Sequence, residues 1–109
     1  MRIKKVLSFE DLRKLPEGSL VRVVDSDVDS LSIRFIALKT EDPATREVSL
    51  IEKNKLDDSL VRYNLRGANE AIFRDGKIVI NCKDIYSGHI HKGDADYEKY
   101  SEQLLEVVQ

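Results

Sequence analysis

The run "SLSIRFIALKT", residues 30–40, constrains the fold more than any other stretch of this chain. In an extended segment alternate side chains point to opposite faces. Leu31, Ile33, Phe35 and Ala37 then share one face, while Ile36 and Leu38 share the other. A strand on the rim of a sheet keeps one face polar, and this one keeps neither. It belongs at the centre of a sheet covered on both sides, or in a sheet curved enough to enclose its own face. "TEDPAT" turns the chain, and "REVSLIEK" (46–53) returns with Val48 and Leu50 on one face, which makes a long hairpin.

Other elements follow from local signals. "RIKKVL" (2–7) reads as a short strand. Ser8 is an N-cap, with Asp11 at the position a capping box fills with Glu or Gln. Phe9, Leu12 and Leu15 line one side of the helix it opens, and Pro16 and Gly18 end that helix after about two turns. "SLVRVV" (19–24) and "SLVRYNL" (59–65) are β-prone runs. In "EAIFRDGKIVINC" (70–82), Asp75-Gly76 supplies the positive φ angles of a tight two-residue hairpin turn. Ile78, Ile80 and Cys82 alternate there with Lys77, Val79 and Asn81. Near the C-terminus Tyr97, Tyr100, Leu104, Val107 and Val108 form a helical stripe, with Glu98, Lys99, Glu102, Gln103 and Glu106 opposite.

These elements define an α+β fold over one domain, residues 1–109. The expected sheet is antiparallel, with five or six strands, strongly curved or closed into a small barrel. A short N-terminal helix and a longer C-terminal one pack against it. A chain of 109 residues has room for a single core.

Apolar residues make up 41% of the chain and charged residues 35%, a balance that excludes a disordered polar chain. The single cysteine, Cys82, excludes an internal disulfide and fits a reducing, cytoplasmic setting. No stretch approaches the ~20 apolar residues of a membrane-spanning helix. Residues 1–54 carry ten basic and ten acidic side chains, and the rest carry eight and ten. Overall charge therefore gives no ground for nucleic-acid binding. Only the C-terminal quarter leans acidic.

"YSGHIHKGDADYE" (86–98) holds both histidines of the chain. His89 and His91, two apart in an extended segment, point the same way, and Asp94 would complete a three-ligand metal set for a hydrolase. Zinc in a structural site takes four ligands, however, and no third histidine exists. The stretch reads as a polar loop in which Asp94 or Asp96 caps the last helix, with no metal and no cofactor. Cys82 falls on the inward side of its strand, where a thiol behaves as a small apolar group rather than a nucleophile. "DSDVDS" (25–30) begins with calcium-loop spacing. It fails where that pattern requires Gly (Ser30 stands there) and Glu (Ile36 stands there).

Two binding readings compete. Glu98, Glu102 and Glu106 recur at helical i, i+4 spacing beside Asp94 and Asp96, an acidic stripe suited to steering association with a basic partner. On this reading the chain is a non-enzymatic protein-binding module. It would be a small inhibitor of the immunity or anti-defence type, blocking a larger protein such as a nucleic-acid-handling enzyme. The alternative is an RNA- or single-stranded-DNA-binding barrel using Arg34, Arg62, Tyr63 and Arg74, with Arg22, Lys39 and Arg66 joining on a sheet face. Neighbouring strand residues face opposite ways, which puts Phe35 and Phe73 in the core if their arginines face solvent.

Overall fold

A computed structural model describes residues 3–27, 33–54 and 56–105, and the backbone alone at residue 33. The elements are β1 (Ile3–Lys4), α1 (Phe9–Lys14), β2 (Leu20–Asp25), β3 (Ile33–Glu41), β4 (Val48–Lys53), β5 (Leu60–Leu65), β6 (Ile72–Arg74), β7 (Lys77–Ile80), α2 (Cys82–Ile85), β8 (Tyr86–Ile90) and α3 (Tyr97–Leu105). No helix among them is long and apolar enough to cross a membrane.

α1 starts and stops where its side chains require. Ser8 is extended, and its Oγ accepts from the Asp11 N–H at 3.1 Å. The Asp11 carboxylate accepts in turn from the Leu7 N–H at 3.1 Å, one residue further back than in the usual capping box. Leu15, before Pro16, is extended and ends the helix. The orphan carbonyls of its last turn are met from β3: the Lys39 Nζ donates to Leu15 O at 2.8 Å and to Arg13 O at 3.3 Å.

The strands form one open sheet in the order β6-β7-β2-β3-β4-β5-β8, with β1 also on β2. It is mostly antiparallel, but β1 and β7 both pair with β2 in parallel. The β3–β4 hairpin occupies one edge of β2. After β5 the chain crosses to the other edge through a single 3-10 turn (Ala68–Glu70) and the β6–β7 hairpin. That hairpin turns at Asp75 (φ 54°) and Gly76 (φ 76°), as its Asp-Gly pair requires.

Four expectations are corrected here. The described residues hold eight strands, not five or six, and the sheet is open between edges β6 and β8 rather than closed as a barrel. One of the additional strands lies in the segment read as a loop: Tyr86–Ile90 is β8, in register with β5 through Leu60↔Ile90 and Val61↔His89. Also, β7 stops at Ile80. Asn81 accepts from the Lys83 N–H at 3.1 Å and starts a one-turn helix, so Cys82 lies on α2 rather than on a strand.

β3 is central and covered on both faces, as its sequence demands. Phe35 and Ala37 pack with Val21, Leu50, Ile78 and the α1 residue Leu12. Ile36 and Leu38 pack on the other side with Leu20, Ile51 and the α3 residues Tyr97, Tyr100 and Leu104. Full burial of a side chain such as Leu38 contributes about 2 kcal/mol. Val107, Val108 and Glu106, the last part of the predicted stripe, lie outside the described residues.

Candidate binding surfaces

α3 is too small to cover its face of the sheet. A helix is ~10 Å wide with its side chains, and the seven strands of the main path, ~4.8 Å apart, span ~29 Å between edges. α3 lies against β3 and β4. On the same side, the described residues leave the outer half of the sheet toward β6 uncovered.

Register identifies what this half presents, because directly paired residues share a face. Ile36 belongs to the α3 layer and pairs with Arg22. Two residues along, Val24 pairs with Arg34 and also with Val79. Val79 pairs with Ile72, and Lys77, two before Val79, pairs with Arg74. Arg22, Arg34, Arg74 and Lys77 therefore share one face with Val24, Val79 and Ile72. The three arginines are exposed, Lys77 and the two valines are half-buried, and Ile72 is 60% exposed.

Arg22, Arg34 and Lys77 line a depression of about 370 Å³ whose apolar lining includes Val24 and Ile36. A smaller depression, about 260 Å³, adjoins it through Arg22 and Lys77 and adds Lys5 and Ile3. Among the described residues, none of Arg22, Arg34, Arg74 and Lys77 forms a salt bridge, although Arg13, Lys39, Arg46, Lys83 and Lys92 all do.

The residues named for nucleic-acid binding are not brought together. Arg34 and Arg74 are on the uncovered half. Arg62 is half-buried in a polar pocket of about 400 Å³ with Asn64, Asp96 and Lys99, its Nε unpartnered among the described residues. Tyr63 is buried on the opposite face, its ring 5.8 Å from Phe35 and its hydroxyl donating to Glu52. Burial, and then the Glu52 contact, push that hydroxyl's pKa up. Phe73 packs in the same layer, so among the described residues the uncovered half carries cations and aliphatic groups without an aromatic stacking platform. Nor does Lys39 join: it is 1% exposed and serves α1. Arg66 is exposed beyond β5, beside Phe9 and Arg13 of α1.

The acidic residues Asp94, Asp96, Glu98 and Glu102 are all exposed, before and along α3; Glu106 lies outside the described residues. Two cations interrupt the stripe. Lys92 pairs with Asp58 at 3.3 Å, and Lys99 sits 5.6 Å from the centre of the Tyr100 ring. Asp94 closes its own loop by accepting from the His91 N–H at 2.8 Å, and α3 is entered through the carbonyl of Asp94, which accepts from Tyr97 N–H.

His89 and His91 do point the same way, their rings stacked 5.8 Å apart. The Tyr86 hydroxyl lies 2.7 Å from His89 Nδ1 and the Asn54 Nδ2 lies 3.3 Å from its Nε2, so both ring nitrogens have partners. His89, His91 and Asp94 do not form a ligand group: among the described residues, no three His, Cys, Asp or Glu side chains converge. Cys82 is half-buried, and burial, reinforced by Asp25, pushes its thiol up to about 12. A thiol held so far above neutrality is a poor nucleophile.

The uncovered half was only partly readable. Its Lys77/Val79 alternation is visible in the sequence, but the pairing of β7 with β2 that brings Arg22 beside Lys77 is not. Compared with known proteins, the chain matches no family model, no curated protein sequence and no solved structure.

Proposed function

We propose that the chain is a non-enzymatic protein-binding module, a small domain that docks on a larger protein and blocks it, and that its working surface is the uncovered half of the sheet. One observation carries this reading: Ile72, Val24 and Val79 lie among four cations that form no salt bridge among the described residues, on a face that the described part of α3 leaves open. Protein interfaces combine an apolar centre with an enrichment in arginine, whereas single-stranded nucleic acid favours aromatic platforms.

The test is co-purification from lysate with and without nuclease. The expected result is a nuclease-resistant protein partner that is lost from an Arg34→Glu, Arg74→Glu variant. A partner retained by that variant but lost when Glu98 and Glu102 become Lys would move the working surface to the acidic stripe. A nuclease-sensitive association would replace the protein reading with the nucleic-acid one.

A further inference from the structure

We infer that the uncovered half of the sheet receives a short acidic segment of its partner, in extended conformation, with one carboxylate seated in the depression between Arg22, Arg34 and Lys77. The inference rests on the protein-binding reading and specifies the chemistry of the occupant. Three observations lead to it.

The first is size. The uncovered half is about four strands wide at ~4.8 Å each and about five residues deep at ~3.3 Å each, or roughly 300 Å² in plan. A stable interface between globular proteins buries about 800 Å² on each side. A footprint this small suits a single segment better than a folded surface.

The second is charge. Arg22, Arg34, Arg74 and Lys77 bring four positive charges to this footprint within a chain of net charge −2, and none of them forms a salt bridge among the described residues. Like charges crowded on one face repel until an anion enters. Arg22 and Arg34 offer planar forks to a carboxylate, and Lys77 adds a point charge at the same depression.

The third is the apolar content. Val24 and Val79 are half-buried and Ile72 is 60% exposed between the cations. A phosphodiester backbone gains little from aliphatic neighbours. A peptide with an aliphatic side chain beside its acids would cover them and dehydrate the ion pairs.

Isothermal titration of the intact chain at 0.15 M salt tests this, with three probes: a twelve-residue peptide of glutamates and leucines, a glutamine-for-glutamate version of it, and a twelve-nucleotide oligothymidylate. The glutamate peptide is expected to bind, and the glutamine peptide at least tenfold more weakly. Arg22→Gln with Arg34→Gln should weaken the glutamate peptide by about tenfold. Lys14→Glu on α1, across the sheet, should leave it unchanged. Circular dichroism melts confirm that the exposed substitutions fold. Equal affinity for both peptides, or an unchanged affinity in the double variant, would overturn the inference. So would tighter binding of the oligonucleotide. A nuclease-resistant partner that depends on Arg34 and Arg74, with no binding of the glutamate peptide, would sink the acidic-segment inference and leave the module reading standing. Self-association on sedimentation, abolished when Glu98 and Glu102 become Lys, would make the occupant a second copy and also overturn it.

Discussion

The Lys39 ammonium reaches from β3 to the Leu15 carbonyl, 2.8 Å away, and so caps a helix from a different part of the chain. Its side chain is 2% exposed, and its other partners are Arg13 O at 3.3 Å and Glu41 Oε2 at 3.4 Å. Methionine would keep the stem's packing and remove the donor, leaving carbonyls of the last turn without that partner. Hydrogen bonds made by a charged group contribute about 1.5–3 kcal/mol. Lys39→Met should therefore lower stability by about 2 kcal/mol, read as a lower urea midpoint at unchanged slope.

Gly76 sits at φ 76° in the β6–β7 turn, and a Cβ there would meet Lys5 Cβ and Cγ at 3.2 Å. Gly76→Ala combines a left-handed backbone cost of about 1–2 kcal/mol with pressure on Lys5, just after β1. Gly67 has open space around it and no positive φ, so Gly67→Ala should change stability by less than about 0.5 kcal/mol. Thermal melts of the two variants compare them directly.

What the sequence made legible is what short-range physics decides. Ser8 and Pro16 bounded α1, Asp75-Gly76 set a turn, and the two apolar faces of residues 33–38 placed β3 in the middle of the sheet. β8 escaped because Gly88, His89 and His91 carry a loop-like composition, and only pairing with β5 makes the segment extended. The destination of Lys39 escaped because the alternation assigns it a face, while the need for its charge arises at carbonyls some two dozen residues away. The candidate surface escaped for the same reason. It depends on the parallel pairing of β2 with β7 and on how little of the sheet α3 covers, and neither is a local property.

Cys82 should be inert in the folded protein. With its thiol pushed up to about 12 by burial and by Asp25, the thiolate population near pH 8 is very small. Iodoacetamide is expected to label it slowly in buffer and readily in urea. Asp25→Asn removes the neighbouring charge while its amide oxygen can still accept from the Cys82 N–H, which lies 3.2 Å from the carboxylate in the parent chain, and it should speed native labelling. Equal labelling rates in buffer and urea would contradict this account.

Acid and alkali should destabilise the fold through different residues. Burial alone would raise the Glu41 pKa, but the Arg46 and Lys39 contacts outweigh it and hold the carboxyl below its ordinary 4.5. A depressed carboxylate contributes stability that is present above its unfolded value and is lost as pH falls through the folded one. Glu41→Gln should therefore flatten the fall in urea midpoint below about pH 4.5. Tyr63 behaves in the opposite sense. Its hydroxyl is pushed above the ordinary 10.0 by burial and by Glu52, so the neutral form is favoured on folding. That contribution is intact below pH 10 and is lost as pH rises beyond it. Tyr63→Phe keeps the ring beside Phe35 and cannot ionise, so it should resist alkaline unfolding better than the parent chain, at some cost in stability at neutral pH from the lost Glu52 bond. Urea titrations at a series of pH values on both limbs measure the two effects separately, and identical pH profiles for parent and variants would refute both assignments.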